Sequence, residues 1–141
     1  MRKIDFCINS KIELINIVEN GVEFFLKSLC KIDEDSTYWF MVGFHEILVN
    51  AYLHGNKKDE KLLIEISLSV ANGELTAVVS DMGNGFEFDK IPDPTQPENI
   101  LKPSGRGLLF ARKSCDSVSL EKKDGKFTVK ITKKIKEVQN A

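Results

Sequence analysis

The chain has 141 residues, with 20 Lys and Arg against 21 Asp and Glu, for a formal charge of −1. That length fits one domain, and 42% hydrophobic with 29% charged residues excludes a disordered or fibrous chain. The near-neutral balance gives no electrostatic footprint for nucleic acid, and no apolar run approaches the ~18–20 residues of a bilayer span.

In chain order, Ile4, Phe6 and Ile8 alternate with polar neighbours and predict a short half-buried strand, where a signal peptide would carry an apolar stretch. Ser10 and Glu13 have the spacing of a capping box for the helix that follows. Ile15, Val18, Val22, Phe25 and Leu29 then recur at three- and four-residue steps, which predicts a helix to about Lys31 that Gly21 weakens slightly. After a polar connector, Ser36 or Thr37 can cap a second, strongly apolar helix that runs to about His54, with Gly55-Asn56 as its stop.

Two alternating strands follow, one through Ile64, Ile66, Leu68 and Val70, the other through Leu75, Ala77 and Val79. Asn72-Gly73 between them is a type I′ hairpin signal. All four prolines (Pro92, Pro94, Pro97 and Pro103) then fall in one stretch, and a loop of that length inside a domain points to a lid over residues 86–104. A short helix over 107–114 and two strands near 117–122 and 127–133, turning at Asp124-Gly125, complete a domain over 1–135, with 136–141 as a tail. The order β-α-α-β-β-lid-α-β-β predicts an α+β two-layer sandwich.

Cys7, Cys30 and Cys115 are odd in number and form no CxxC pair. This argues against a disulfide framework or a structural zinc site and for a reducing, cytoplasmic setting. All three are expected to be small buried residues.

Glu46 and Asn50, four apart in the second helix, share one face. Among Phe40, Phe44, Ile47, Leu48, Val49 and Ala51, a carboxylate and an amide either line a cavity or mark a solvated rim. An HExxH zinc helix would need histidine at Val49, so His45 and His54 form no such site, and His54 suits the helix dipole instead. Asp81-Met82-Gly83-Asn84-Gly85 closes the third strand. Its glycines permit close approach of a ligand, and its aspartate can accept from an amine such as that of adenine; the same letters alone also make a plain turn. Gly105-Arg106-Gly107 opens the short helix, where backbone N–H groups bind anions and arginine adds a planar phosphate donor. It is neither a Walker loop nor a Rossmann fingerprint.

In combination and in this order, these motifs resemble the GHKL (Bergerat-fold) ATP-binding family, most closely its anti-sigma factor serine kinases. Glu46-Ile-Leu-Val-Asn50-Ala51-Tyr-Leu-His54-Gly55 looks like the N-box, Asp81 to Gly85 like the first glycine box, and Ser104-Gly105-Arg106-Gly107-Leu108 like the second. Gyrase-, chaperone- and mismatch-repair-type members carry further domains, and histidine kinases a phosphoacceptor helix pair, for which this length leaves no room. The resemblance implies a mostly antiparallel mixed sheet with helices on one face and an ATP lid. It implies that Asn50 coordinates Mg²⁺ and that Glu46 is the general base for a serine hydroxyl. Asp81 would bind the adenine amino group, with Gly83 and Gly85 in the same turn. Gly105 and Gly107 would let lid amides cradle the phosphates of ATP, beside Arg106.

The partners so implied are an anti-anti-sigma (STAS-type) protein and a sigma factor, with homodimerisation through the sheet edge near the first strand. One departure stands out. Where the family often has Gly-Thr near the start of the last strand, this chain reads Lys126-Phe127, with Thr128 one step on and facing the other way. That puts the threonine contact in question and leaves the pocket. The alternative reading is a nucleotide-binding regulatory module that sequesters its partner without phosphotransfer. A relic pocket is disfavoured because Glu46, Asn50, Asp81 and both glycine pairs are all present.

Overall fold

The computed structural model describes residues 1–82 and 115–135. The first alternating run forms β1, Arg2–Asn9, and the helical periodicity that follows gives α1, Ile12–Phe24, extended by one wide π-helical turn over Phe25–Leu29. The second helix, α2, spans Glu34–Asn50 and also ends in a π-helical turn, Ala51–Gly55. Four strands complete the described fold: β2 Leu63–Ala71, β3 Glu74–Asp81, β4 Ser117–Lys123 and β5 Lys126–Lys134. The expected lid, the short helix after it and the tail at 136–141 lie outside the described residues.

The strands form one sheet in the order β1-β2-β3-β5-β4, and each of these neighbouring pairs is antiparallel. Both hairpin signals act as read. Asn72 and Gly73 have φ of 53° and 72°, and Asp124 and Gly125 have φ of 53° and 76°, the doubly left-handed geometry that matches the twist of the flanking strands.

Period-two alternation sends one residue set from every strand to the helices. Ile4, Phe6 and Ile8 stand in register with Leu68, Ile66 and Ile64, while Ala77 and Val79 stand beside Ile131 and Val129. Against this face pack Ile15, Val18 and Val22 of α1 and Phe40, Phe44, Ile47 and Leu48 of α2, all buried. Phe40 and Phe44, one helical turn apart, stack with ring centroids 5.5 Å apart. Gly21 has a packing reason in this layer, since a Cβ there would lie 3.2 Å from the Phe6 ring. The result is the two-layer α+β sandwich. No helix among the described residues is long and apolar enough to cross a membrane.

Four local expectations are corrected. Ser10 does not cap α1: Lys11 holds that position without a side-chain bond, and the buried Ser10 hydroxyl donates to Leu62 O at 2.9 Å. A tertiary partner has taken the group that a local box would use. The α2 cap is Asp33, whose Oδ2 accepts from Ser36 N at 3.0 Å, rather than Ser36 or Thr37. The helix does end near Gly55-Asn56, but the left-handed residues that turn the chain are Lys57 and Lys58, with φ of 51° and 60°, while Asn56 stays at −86°. Finally, Cys30 and Cys115 are buried, whereas Cys7 is exposed, because an odd position of β1 points to the outer face.

Candidate functional site

The inner face of the sheet is apolar row by row until its last row. There Ile64 stands in register with Asp81, and Asp81 with Phe127. Asp81 is only 2% exposed, on the core side of β3, between an aliphatic and an aromatic neighbour. A carboxylate is costly in such a place unless it is satisfied. Its position is the terminal residue of the strand and the first of the Asp81–Gly85 segment.

The end of α2 lies over this row. Asn50, half-buried, lines one small cleft with Ile47, Ala51, Val79, Asp81, Phe127 and Val129. Two of the expected site residues, from a helix and a strand 31 positions apart, therefore meet at one place. Glu46, half-buried one turn earlier, lines a groove of about 430 Å³ between α1 and α2. Glu19, Glu23, Tyr38, Met41, Val42 and His45 line it too, and the imidazole of His45 contacts the Glu19 carboxylate. Glu46 and Asn50 thus occupy one helix stripe but line two different spaces. Gly83, Gly85, Gly105, Arg106 and Gly107 lie outside the described residues.

Gly55 makes room for the Asp81 carboxylate by having no side chain. A Cβ built there would stand 2.7 Å from Asp81 Oδ1 and nearer still to Cγ and Oδ2. The carboxylate occupies the space that any other residue would fill. The wide turn at Ala51–Gly55, closed by the Asn56 N–H donating to Ala51 O at 2.8 Å, brings Gly55 to this spot. Such five-residue turns recur at functional sites. Asn56, only 1% exposed, then bonds three strand ends: Nδ2 donates to Ser10 Oγ at 2.7 Å and to Leu63 O at 3.0 Å, and Oδ1 accepts from Met82 N at 2.9 Å.

Thr128 does face away from Asp81. Its hydroxyl lies 2.8 Å from Ser80 Oγ on the outer face, and Phe127 takes the position beside the carboxylate. Among the described residues there is no cluster of three or more His, Cys, Asp or Glu suited to a metal ion. A single amide such as Asn50 suits a hard cation that takes most of its ligands from phosphates and water.

The profile of the histidine kinase-like ATPase domain matches residues 12–133. The chain belongs to this family. Its relatives include the serine-protein kinase RsbW of Staphylococcus aureus strain MRSA252, 30% identical over 105 residues, covering 70% of this chain and 65% of that kinase. The chain thus spans just under two thirds of that relative's length. The serine-protein kinase RsbW of Staphylococcus epidermidis is 28% identical over 137 residues, covering 91% of this chain and 82% of the relative. An anti-sigma F factor of Clostridium botulinum strain Alaska E43 is 30% identical over 94 residues, covering 63% and 64% of the two chains. The fold is shared with the crystal structure of the RsbU and RsbW domains of a Mycobacterium tuberculosis protein. That likeness has a TM-score of 0.70 at 18% identity and covers 96% of this chain and 33% of the other.

Within this histidine kinase-like ATPase domain, the sequence expectations named Glu46, Asn50 and Asp81 and placed Gly55 at the end of the N-box, but treated Asn56 only as a helix stop and Ser10 only as a cap. Nothing in their spacing separates a stop from a clamp. The signal is tertiary, in the partners that the topology brings to them.

Proposed function

We propose that the chain is an ATP-dependent serine protein kinase acting as an anti-sigma regulatory factor, with an anti-anti-sigma protein of STAS type as phosphoacceptor. The observation that carries this reading is the meeting of Asn50 and the buried Asp81 in one cleft under the end of α2, with the carboxylate seated in the space that Gly55 leaves. The names of the Staphylococcus and Clostridium relatives support the same activity and a sigma-factor partner.

In this reading Asp81 accepts a hydrogen bond from the adenine amino group, and Gly83 and Gly85 belong to the same base-binding box. Asn50 offers its amide oxygen to Mg²⁺, which when bound offsets charge on the phosphates. Gly105, Arg106 and Gly107 belong to the phosphate cradle. Glu46, one turn from Asn50 and open to the α1–α2 groove, orients the acceptor serine and takes its hydroxyl proton. Phosphoryl transfer requires mainly positioning and electrostatic support, and these residues supply both.

Glu46→Gln separates this from a nucleotide-holding regulator. The kinase reading predicts that phosphotransfer to the acceptor falls by at least roughly 100-fold, as loss of a general base does, with Mg-ATP affinity unchanged. Transfer that persists at the wild-type rate would remove Glu46 from the mechanism.

A further inference from the structure

Asn56 satisfies its amide completely while almost fully buried. Both N–H bonds are donated, to Ser10 Oγ and Leu63 O, and the carbonyl accepts from Met82 N. The amide orientation follows from these partners, since a flip would oppose Nδ2 to the Met82 N–H and Oδ1 to the Leu63 carbonyl. Ser10 is held in turn, its hydroxyl donating to Leu62 O. One side chain therefore ties the end of β1, the start of β2 and the residue after β3 to the end of α2.

A helix stop does not explain this, because Asn56 has an ordinary right-handed backbone and Lys57 and Lys58 carry the turn. Its two flanks do explain it. Gly55, before it, faces the Asp81 carboxylate; Met82, which it holds, follows Asp81 directly. Helix end and strand end are thus fixed relative to each other at the gap that Asp81 occupies.

We propose that Asn56, braced by Ser10, is a positioning residue for base recognition: it holds the end of β3 so that the Asp81 carboxylate meets the purine 6-position in one orientation. This rests on the nucleotide reading above and goes beyond it in assigning base selectivity to a residue that does not touch the base. Loosening Asn56 is expected to affect discrimination at the 6-position more than binding of the triphosphate.

The test compares Mg-ATP with Mg-ITP, which carries a carbonyl in place of the 6-amine, by calorimetry on wild type, Asn56→Ala, Ser10→Ala and Val18→Ala. Hydrogen exchange of the Met82 amide is followed in parallel. Wild type should prefer ATP by about tenfold or more, the worth of one well-placed buried hydrogen bond. Asn56→Ala should bring the two affinities to within roughly threefold and lose Met82 protection. Ser10→Ala, the milder change should Asn56→Ala fail to fold, should fall between. Val18→Ala, a core truncation in α1, should lower the melting temperature and keep the preference. An undiminished preference in Asn56→Ala with Met82 protection lost would overturn the positioning role and leave the nucleotide reading intact; so would equal narrowing in Val18→Ala. If Asn56→Ala does not fold, an unchanged preference in Ser10→Ala overturns the role. A wild type that binds neither nucleotide would overturn the nucleotide reading, and this proposal with it.

Discussion

Asp81 and Gly55 are a pair whose chemistry is visible only when both are seen together. Adding one methyl group at Gly55 places carbon inside the contact distance of the Asp81 carboxylate, so the carboxylate must turn out of its place or the strand end or the helix end must move. Gly55→Ala is expected to destabilise the fold by about 1–3 kcal/mol, the usual range for an overpacked site, and to weaken Mg-ATP binding as well. Chemical denaturation with calorimetry of the same variant checks both; unchanged ATP affinity would show that Asp81 is not held by this contact. Asp81 was legible in the sequence because an aspartate before two glycines at a strand end is a local pattern. Gly55 was legible as a helix stop and as the last residue of the N-box, but its contact was not, since the carboxylate it accommodates is 26 positions away. Cys7 failed for a related reason: composition favours a buried cysteine, but strand parity places that side chain outward.

At the scale of the element, α2 carries Glu46 and Asn50, and its two ends are secured differently. At its start, Asp33 accepts from Ser36 N, and this bond holds its carboxyl below the ordinary aspartate value of 3.8. A carboxylate whose value is lowered by folding stabilises fully above that ordinary value, and its contribution is lost as pH falls through the folded value. Asp33→Ala is expected to cost about 0.5–2 kcal/mol near neutral pH. Asp33→Asn keeps an acceptor without the charge, so its melting curve should lack the part of the acid loss due to Asp33. Melting temperatures of both proteins from pH 7 down to about pH 3 check this; parallel curves would contradict it. In the middle, the stacked Phe40 and Phe44 are fully buried, and Phe44→Ala should cost about 3–5 kcal/mol in urea unfolding. At its end comes the π-helical turn. Helical periodicity revealed α2 and its apolar face but not this turn, because five-residue steps leave no trace in a pattern scored at 3.6. Ser10 was misread because its hydroxyl answers to Leu62, 52 positions away, whereas the α2 cap was misplaced by three or four residues within one local pattern, Asp33 being the acceptor for Ser36 N.

Across the whole molecule, strand alternation and two Asn-Gly or Asp-Gly turns made the hairpins and the two-layer architecture readable, since each hairpin closes locally. The spatial order β1-β2-β3-β5-β4 was not readable from the chain, because β3–β5 pairing spans the long segment between them. That same pairing sets Phe127 beside Asp81 and turns Thr128 to the outer face, as strand parity predicts for the departure from Gly-Thr. Helix end, central strands and last strand thus converge on Asp81, and the central claim is that a nucleotide binds through this carboxylate. Thermal unfolding with and without Mg-ATP, on wild type and Asp81→Asn, tests it most directly. At ~100 times its dissociation constant, a ligand bound only by the native state adds roughly 2.7 kcal/mol, a rise of roughly 5–10 °C for a chain of this size. The account predicts that rise in wild type and a much smaller one in Asp81→Asn; equal rises in both, or none in wild type, would contradict it.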